Sequence, residues 1–454
     1  MIKEPIISVY ITNRNYGRYI ENAIKSVLRQ TFKKIELIIV DDASIDSSKK
    51  IIKKYENKNL CTAIYNKNSK GLIKSSNIAI KAARGQFVIR LDADDYLDQN
   101  SLSVFINAIT KDDNIALVYS DYYLVDEKKN ILSLEKQLSR NAINLYDKPV
   151  LAACCLIRKS AIFSVNLYDE RFNRQDGYDI WYKLIQNFKI KHVPLPLFFY
   201  RRHEKNLTKN QVGLFKTRTK ILRKFSQKKN KIKNLKINCV IPVRGPNVDA
   251  NCNSLHILNK KHLICYTVDE ALKVKEFEKI IITTSDKKLI KFLKARYKNN
   301  IFYHNRRHEL SKQNIDFKRS VIEAIKKFNK VSIDIVGIMT IENPLREYFY
   351  IQQAISNLII HGSDLVIGCI PDIENNYYQY SKTGIKLISN QKNQQLKLEK
   401  NILLKDVGAF SIYKYSSYLR NKINKITNVI LDEKHSIIVN KKSDILRVKN
   451  ISSI

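Results

Sequence analysis

Short apolar runs alternate with longer segments in which apolar residues recur every three or four positions. Ile6 to Ile11 reads as a strand, Tyr19 to Arg29 as a helix, and Glu36 to Val40 as a buried strand ending at Asp41 and Asp42. A helix at Ser47 to Tyr55, a strand at Thr62 to Tyr65, a helix at Lys74 to Ala83 and a strand at Phe87 to Leu91 follow. That last strand runs into Asp92-Ala93-Asp94-Asp95. Such a β-α-β rhythm implies a parallel sheet with helices on both faces. Ligands of these sheets sit at the carboxyl ends of the strands, and that is where the acidic clusters fall.

The pattern weakens between about residues 217 and 236 (TRTKILRKFSQKKNKIKNLK), which are polar, basic and without a strong apolar stripe. This stretch reads as a terminal helix running into an exposed linker. The rhythm then restarts with a strand at Ile237 to Pro242, a helix at Tyr266 to Lys273, a strand at Lys279 to Thr284 and a helix at Lys287 to Tyr297. A helix at Phe317 to Phe328, a strand at Ile333 to Met339 and a helix at Tyr348 to His361 complete it. The expected organisation is one α/β domain over residues 1–225, a basic linker over 226–236 and a second α/β domain over 237–454.

Composition narrows the picture. At about 100–200 residues per domain, 454 residues allow two or three domains, each with a sizeable core. Gly at 11 and Pro at 8 exclude collagen-like, linker-rich and propeller architectures. The formal charge of +38 invites a polyanion-binding reading. The basic residues are scattered, however, so a solvated lysine-rich surface accounts for most of the excess and no specific nucleic acid is expected. What remains is peripheral contact with an anionic membrane through Arg218 to Lys236. The seven cysteines (Cys61, Cys154, Cys155, Cys239, Cys252, Cys265 and Cys369) form no CxxC pair and read as buried thiols in a reducing compartment. The N-terminus lacks a signal-peptide layout, and no apolar run approaches the roughly 18 residues of a membrane helix. A cytoplasmic enzyme, peripheral to a membrane at most, is the expectation.

Candidate chemistry sits at the acidic strand ends. Asp92, Asp94 and Asp95 would repel one another unless a cation or solvent relieves them. An oxygen-loving ion such as Mg²⁺ or Mn²⁺ takes one or two carboxylates together with substrate phosphates. Taken alone, D-x-D-D is as readily an exposed acidic turn. Its surroundings change that. Residues 6 to about 208 resemble glycosyltransferase family 2, the inverting enzymes of the GT-A fold. The resemblance is carried by SVYITNRNYGRYIENAIKSVLRQTF, ELIIVDDASID, NKNSKGLIKSSNIAIKAARGQFVIRLDADD, RQDGYDIWYKL and YRRHEKNLTKN, in the family's order.

The resemblance implies roles by position. Thr12, Asn13, Asp41 and Asp42 line the base and ribose pocket of a nucleotide-sugar donor, and Lys70, Gly71 and Asn77 continue that wall. Asp92 and Asp94 form the D-x-D motif at the ribose and the metal-bound diphosphate; Asp95 shares the metal duty, and His203 coordinates the metal or a phosphate. An inverting transfer needs a base for the proton of the acceptor hydroxyl, on a glycan or lipid-linked acceptor. Asp176 is the expected base, with Asp179, three residues on, as the alternative. Tyr178 and Trp181 are expected in the core rather than as a sugar platform.

The second half resembles the acylneuraminate cytidylyltransferases, which make CMP-activated acidic sugars. VIPVRG, LICYTVDEAL, KIIITTSD, NPLR and VGAFSIY carry this resemblance. It implies a second Rossmann-like nucleotide-sugar domain with Arg244, Asp286 and Arg346 in its nucleotide pocket. Catalytic parts are missing, though. The loop Pro246 to Asn251 has no Lys to cradle phosphates, and the family's late metal-binding aspartates fall on Ile438 and Asn440. The expected activity is therefore glycosyl transfer by the first half, with a catalytically degenerate second half. Alternatives are a bifunctional enzyme that also performs cytidylyl transfer, and a non-enzymatic polyanion-binding protein.

Overall fold

A computed structural model describes residues 4–56, 60–137, 153–174, 176–203, 211–228, 234–245, 254–311, 316–372, 378–381, 384–387, 403–439, 444–445 and 448. The chain divides into two compact units, residues 1–221 and 222–454.

The first unit opens with β1 (Ile7–Asn13), α1 (Ile20–Leu28), β2 (Ile35–Asp41), α2 (Ser48–Tyr55), β3 (Cys61–Tyr65), α3 (Leu72–Ala82) and β4 (Phe87–Asp92). Then come β5 (Tyr96–Leu97), α4 (Ser101–Ile109), β6 (Ile115–Val125), β7 (Ile131–Glu135), β8 (Leu156–Arg158), α5 (Lys159–Ser164), α6 (Asp176–Leu184) and β9 (Lys189–Arg201), followed by α7 (Gln211–Lys228), whose residues from Leu222 on belong to the second unit. The sheet runs β3-β2-β1-β4-β8-β6-β9-β5, with β7 on β6. β1, β2, β3 and β4 are parallel neighbours, so their carboxyl ends lie along one edge. All of β1 is buried, as befits a central parallel strand. In α1, Ile20, Ala23, Ile24 and Val27 bury one face at i, i+3, i+4 and i+7, joining the core formed by Val9, Ile11, Leu37, Ile89 and Phe105.

The second unit contains β10 (Ile237–Pro242), β11 (Ile257–Leu258), β12 (Lys261–His262), α8 (Leu263–Lys273), β13 (Lys279–Thr284), α9 (Lys287–Tyr297), β14 (Phe302–Asn305), α10 (Lys318–Phe328) and β15 (Ile335–Met339). It continues with α11 (Tyr348–His361), β16 (Leu365–Asp372), β17 (Tyr378–Ser381), β18 (Gly384–Leu387), β19 (Leu403–Lys414), α12 (Tyr415–Arg420) and β20 (Ile426–Ile430). Its main sheet runs β14-β13-β10-β15-β19-β16-β20. Val240, Ile281, Val321, Val336 and Ile338 pack its core. Both units are α/β, as the alternation of strands and helices implied.

One sequence expectation needs correction. The basic stretch from Arg218 is not an exposed tail at its start, because α7 buries Arg218, Ile221, Leu222 and Phe225 at i, i+3, i+4 and i+7. The Arg218 guanidinium lies 5.1 Å from the Tyr178 ring centroid and 5.5 Å from that of Phe215. An Arg stacked on rings serves as packing surface, so Arg218 is withdrawn from any membrane-facing patch. Arg223 is ion-paired to Glu276 at 2.6 Å. Among the described residues no helix is long and apolar enough to cross a membrane. The described cysteines are free and buried; Cys252 lies outside the described residues.

Candidate active site

The carboxyl ends of β1 and β2 are joined by hydrogen bonds between side chains. Asn13 and Asp41 pair across the two strands, and Asn13 Nδ2 donates to Asp41 Oδ1 at 2.9 Å and to Ser44 Oγ at 3.1 Å. Asp41 Oδ2 accepts the Ser44 N–H at 3.0 Å. This closes a tight turn in which Ala43 takes a φ of 58°. Thr12 lies between Val40 and Asp92 in the ladder. Thr12, Asn13, Asp41 and Asp92 are thus brought together at one sheet edge.

Asp42 has a different duty. Its carboxylate accepts hydrogen bonds from Asn66 Nδ2 at 2.9 Å, Ser69 Oγ at 2.8 Å, Lys70 N at 2.7 Å and Gly71 N at 2.9 Å. Burial pushes its pKa up, but these bonds outweigh burial and hold the carboxyl below its ordinary range. Asp42 is spent in holding the loop before α3. Gly71 caps that helix at φ 85° and ψ 165°, a backbone region essentially restricted to glycine. Asn77, expected in the donor wall, turns elsewhere: Nδ2 donates to Tyr168 O at 3.0 Å and to Glu170 Oε1 at 3.0 Å, and Oδ1 accepts from Tyr168 N at 3.1 Å.

At the end of β4, Arg90 Nε pairs with Asp92 Oδ1 at 2.9 Å. Asp94 Oδ2 lies 2.8 Å from His203 Nε2, which joins two residues 109 apart in sequence. Asp95 is buried, and its Oδ1 accepts the Arg201 N–H at 2.9 Å. Burial, reinforced by the charges of Asp94 and Asp92, drives its pKa well above the usual carboxylate range. Asp95 therefore braces β9 instead of facing an open site.

An aromatic group that motif reading passed over holds His203 in place. The Tyr19 ring stacks on it at 5.1 Å, and Tyr16 meets it edge-on at 5.7 Å. The Arg201 guanidinium lies over the Tyr19 ring, 5.1 Å from its centroid. Burial, then the charges of Asp94 and Asp92, raises the Tyr16 hydroxyl pKa strongly. The spacing of Tyr16 and Tyr19, one helical turn apart beside the first strand, was the available signal.

Asp176 begins α6; its side chain lies outside the described residues. Asp179 is buried and paired with Lys183 Nζ at 2.7 Å, and it also accepts the Asp169 N–H at 3.2 Å. Tyr178 and Trp181 are each 2% exposed, in the core as expected. Among the described residues, no three His, Cys, Asp or Glu side chains form a ready-made metal cage.

In the second unit, two of the expected pocket residues are structural. Asp286 caps α9, accepting from the backbone of Lys288 at 2.9 Å and of Leu289 at 3.1 Å. Arg346 is 1% exposed and donates to the carbonyls of Ala409 and Thr340 and to Thr267 Oγ1. Arg244 is half-buried at the end of β10. Ile438 is described, and Asn440 lies outside the described residues.

Comparison with known proteins separates the two halves. Residues 8–172 match the family described as Glycosyl transferase family 2, and residues 254–441 match Cytidylyltransferase. Chondroitin synthase of Escherichia coli is 26% identical over 197 residues, covering 42% of this chain and 28% of its own length. An uncharacterised glycosyltransferase of Rickettsia prowazekii is 32% identical over 194 residues, covering 41% of this chain and 60% of its own. The chain thus spans less than two thirds of either relative. The solved structure of S. aureus TarS in complex with UDP-GlcNAc is 20% identical with a TM-score of 0.42, covering 49% of this chain and 65% of that one. The chain joins a family 2 glycosyltransferase domain to a cytidylyltransferase domain, so it carries an enzyme domain of the glycosyltransferase class.

Proposed function

We propose that the first unit catalyses inverting transfer of a sugar from a nucleoside-diphosphate donor to a hydroxyl of a glycan or lipid-linked acceptor, in surface polysaccharide or glycolipid assembly. The observation that carries this reading is the line of polar groups along one sheet edge: Asn13 with Asp41, then Asp92, then Asp94 against His203. Asn13, fixed in place by Asp41, faces the nucleoside with its Oδ1, and Asp92 receives the ribose. The donor set at Asp94 and His203 fits Mg²⁺ or Mn²⁺, since one carboxylate and one imidazole leave room for substrate phosphates to complete the sphere. Such an ion, when bound, neutralises charge growing on the leaving diphosphate.

Asp176 is the base. Asp179 is unsuited to that role because Lys183 holds it in a buried ion pair. The acceptor hydroxyl gives its proton to the Asp176 carboxylate. Its oxygen forms the new bond to the anomeric carbon from the face opposite the diphosphate. The bond from that carbon to the phosphate oxygen breaks, its electron pair leaves on the diphosphate, and the configuration inverts. The second unit enters as a retained fold for partner or nucleotide binding without its own turnover, supported by the structural duties of Asp286 and Arg346.

Asp94→Ala is expected to lower transfer from a nucleotide sugar by about a thousandfold while the far-UV circular dichroism is unchanged. Transfer surviving at the wild-type rate would sink the assignment.

A further inference from the structure

The segment Leu167 to Glu170 is pinned at every residue. Lys183 Nζ donates to Leu167 O at 2.7 Å. Asn77 takes both the N–H and the carbonyl of Tyr168. The Asp169 N–H goes to Asp179, and the Glu170 carboxylate goes to Asn77. Leu167 holds a φ of 56° and Asn166 one of 59°. For a bulky side chain such as Leu this is a strained backbone, which persists only where the surroundings over-determine it.

This strap is gripped by α3 on one side, through Asn77, and by α6 on the other, through Asp179 and Lys183. Helix α3 is itself anchored to the donor side by the Gly71 N–H on Asp42. Asp179 lies one helical turn beyond Asp176. A continuous line of hydrogen bonds therefore runs from Asp42 through α3, Asn77 and the strap to the helix that begins with Asp176.

We infer that Asn77 is a positioning residue that sets the placement of α6, and hence of Asp176, relative to the donor pocket, and that it does not bind the donor. The inference rests on the reading of Asp176 as the base. Its three hydrogen bonds are all directed to the strap, and a side chain so engaged has no amide hydrogen left for a nucleotide. A displacement of about 1 Å in a reacting group costs on the order of a hundredfold in rate, so a strap residue outside the chemistry can control turnover.

The full-length chain supplies its own reporter, because its single tryptophan, Trp181, lies on α6. Turnover is measured with whichever of UDP-, GDP-, dTDP- and CMP-sugars the wild type uses fastest. Asn77→Ala is expected to lower kcat about 10- to 100-fold with the donor KM within about threefold of wild type. Acrylamide quenching of Trp181 should rise while far-UV circular dichroism holds. Asn77→Asp keeps an acceptor for the Tyr168 N–H but faces the Glu170 carboxylate; adding Glu170→Gln supplies an amide opposite it and should restore part of the rate. A rise of tenfold or more in donor KM with kcat unchanged would place Asn77 in the donor pocket and overturn the inference. Unchanged Trp181 quenching would overturn it as well. Asp176→Asn separates the two readings: wild-type turnover in that variant defeats Asp176 as the base, whereas the Trp181 response to Asn77→Ala still decides the strap.

Discussion

The two units are built on one strand plan and carry different side chains at its carboxyl ends. In each, the first four long parallel strands are ordered third, second, first, fourth: β3-β2-β1-β4 in one and β14-β13-β10-β15 in the other. In each, antiparallel strands extend the sheet beyond the fourth. At the carboxyl ends of the first set stand Asp41, Asp42, Asp92, Asp94 and Asp95. At those of the second stand Arg244 after β10, Arg306 after β14 and Glu342 after β15, while Asp286 after β13 is occupied in capping a helix. Arg306 is buried, and its guanidinium donates to the Val243 carbonyl. The shared sheet decides where a ligand would lie, and the side chains at that edge decide what could happen to it.

The largest contrast between the units is chemical. Asp94→Ala should remove transfer, whereas Arg244→Ala in the second unit should leave it at the wild-type rate. Equal losses from both would dissolve the distinction. Next in size is a stability effect confined to the second unit. Arg346 is fully buried, which lowers its pKa to about 10, and its removal strands the acceptors it satisfies. Arg346→Ala should cost about 3 kcal/mol. Because Trp181 reports only on the first unit, the circular dichroism transition should move to lower denaturant while the Trp181 emission transition stays in place.

A smaller effect concerns pH. Burial alone would lower the pKa of His435, but hydrogen bonds and charge from Asp432 at 2.7 Å and Glu347 at 3.2 Å outweigh it and raise the pKa to about 9. A raised histidine pKa stabilises the fold fully below the unfolded value near 6.5, and that stability is lost as pH rises through 9. The second unit should therefore lose roughly 2 kcal/mol between about pH 6.5 and 9. His435→Gln should flatten that slope, as followed by urea midpoints across the range. The smallest effect tests the loop held by Asp42. Gly71→Ala forces a φ of 85° on a residue with a Cβ and should destabilise the first unit by about 1–2 kcal/mol, read from the Trp181 transition.

Much of the architecture was legible in the chain because a period of two or of three to four survives in the side chains themselves. Strands predicted at Ile6 to Ile11 and Phe87 to Leu91 occupy Ile7–Asn13 and Phe87–Asp92. The basic stretch at Arg218 misled because Arg counts as polar in a pattern, yet its planar guanidinium can stack in a core. In the candidate site, motif order marked residues that the fold brings to one sheet edge, but not which partners each of them would take. Asp42 and Asn77 lie in recognisable motifs and spend their hydrogen bonds on the protein, and Asp95 is buried with its Oδ1 on the Arg201 N–H.

By itself the sequence determined the two α/β units, the acidic strand ends and the family resemblance of each half, since all of these depend on local pattern and on motif order. Only the tertiary structure decided which polar groups face outward and which are consumed within. Asp94 meets His203 across 109 residues, and Asn77 meets Glu170 across 93. Neither partner can be inferred from spacing. A carboxylate in water and one satisfied by four protein donors, as Asp42 is, are the same letter, and folding alone distinguishes them by choosing which donors arrive.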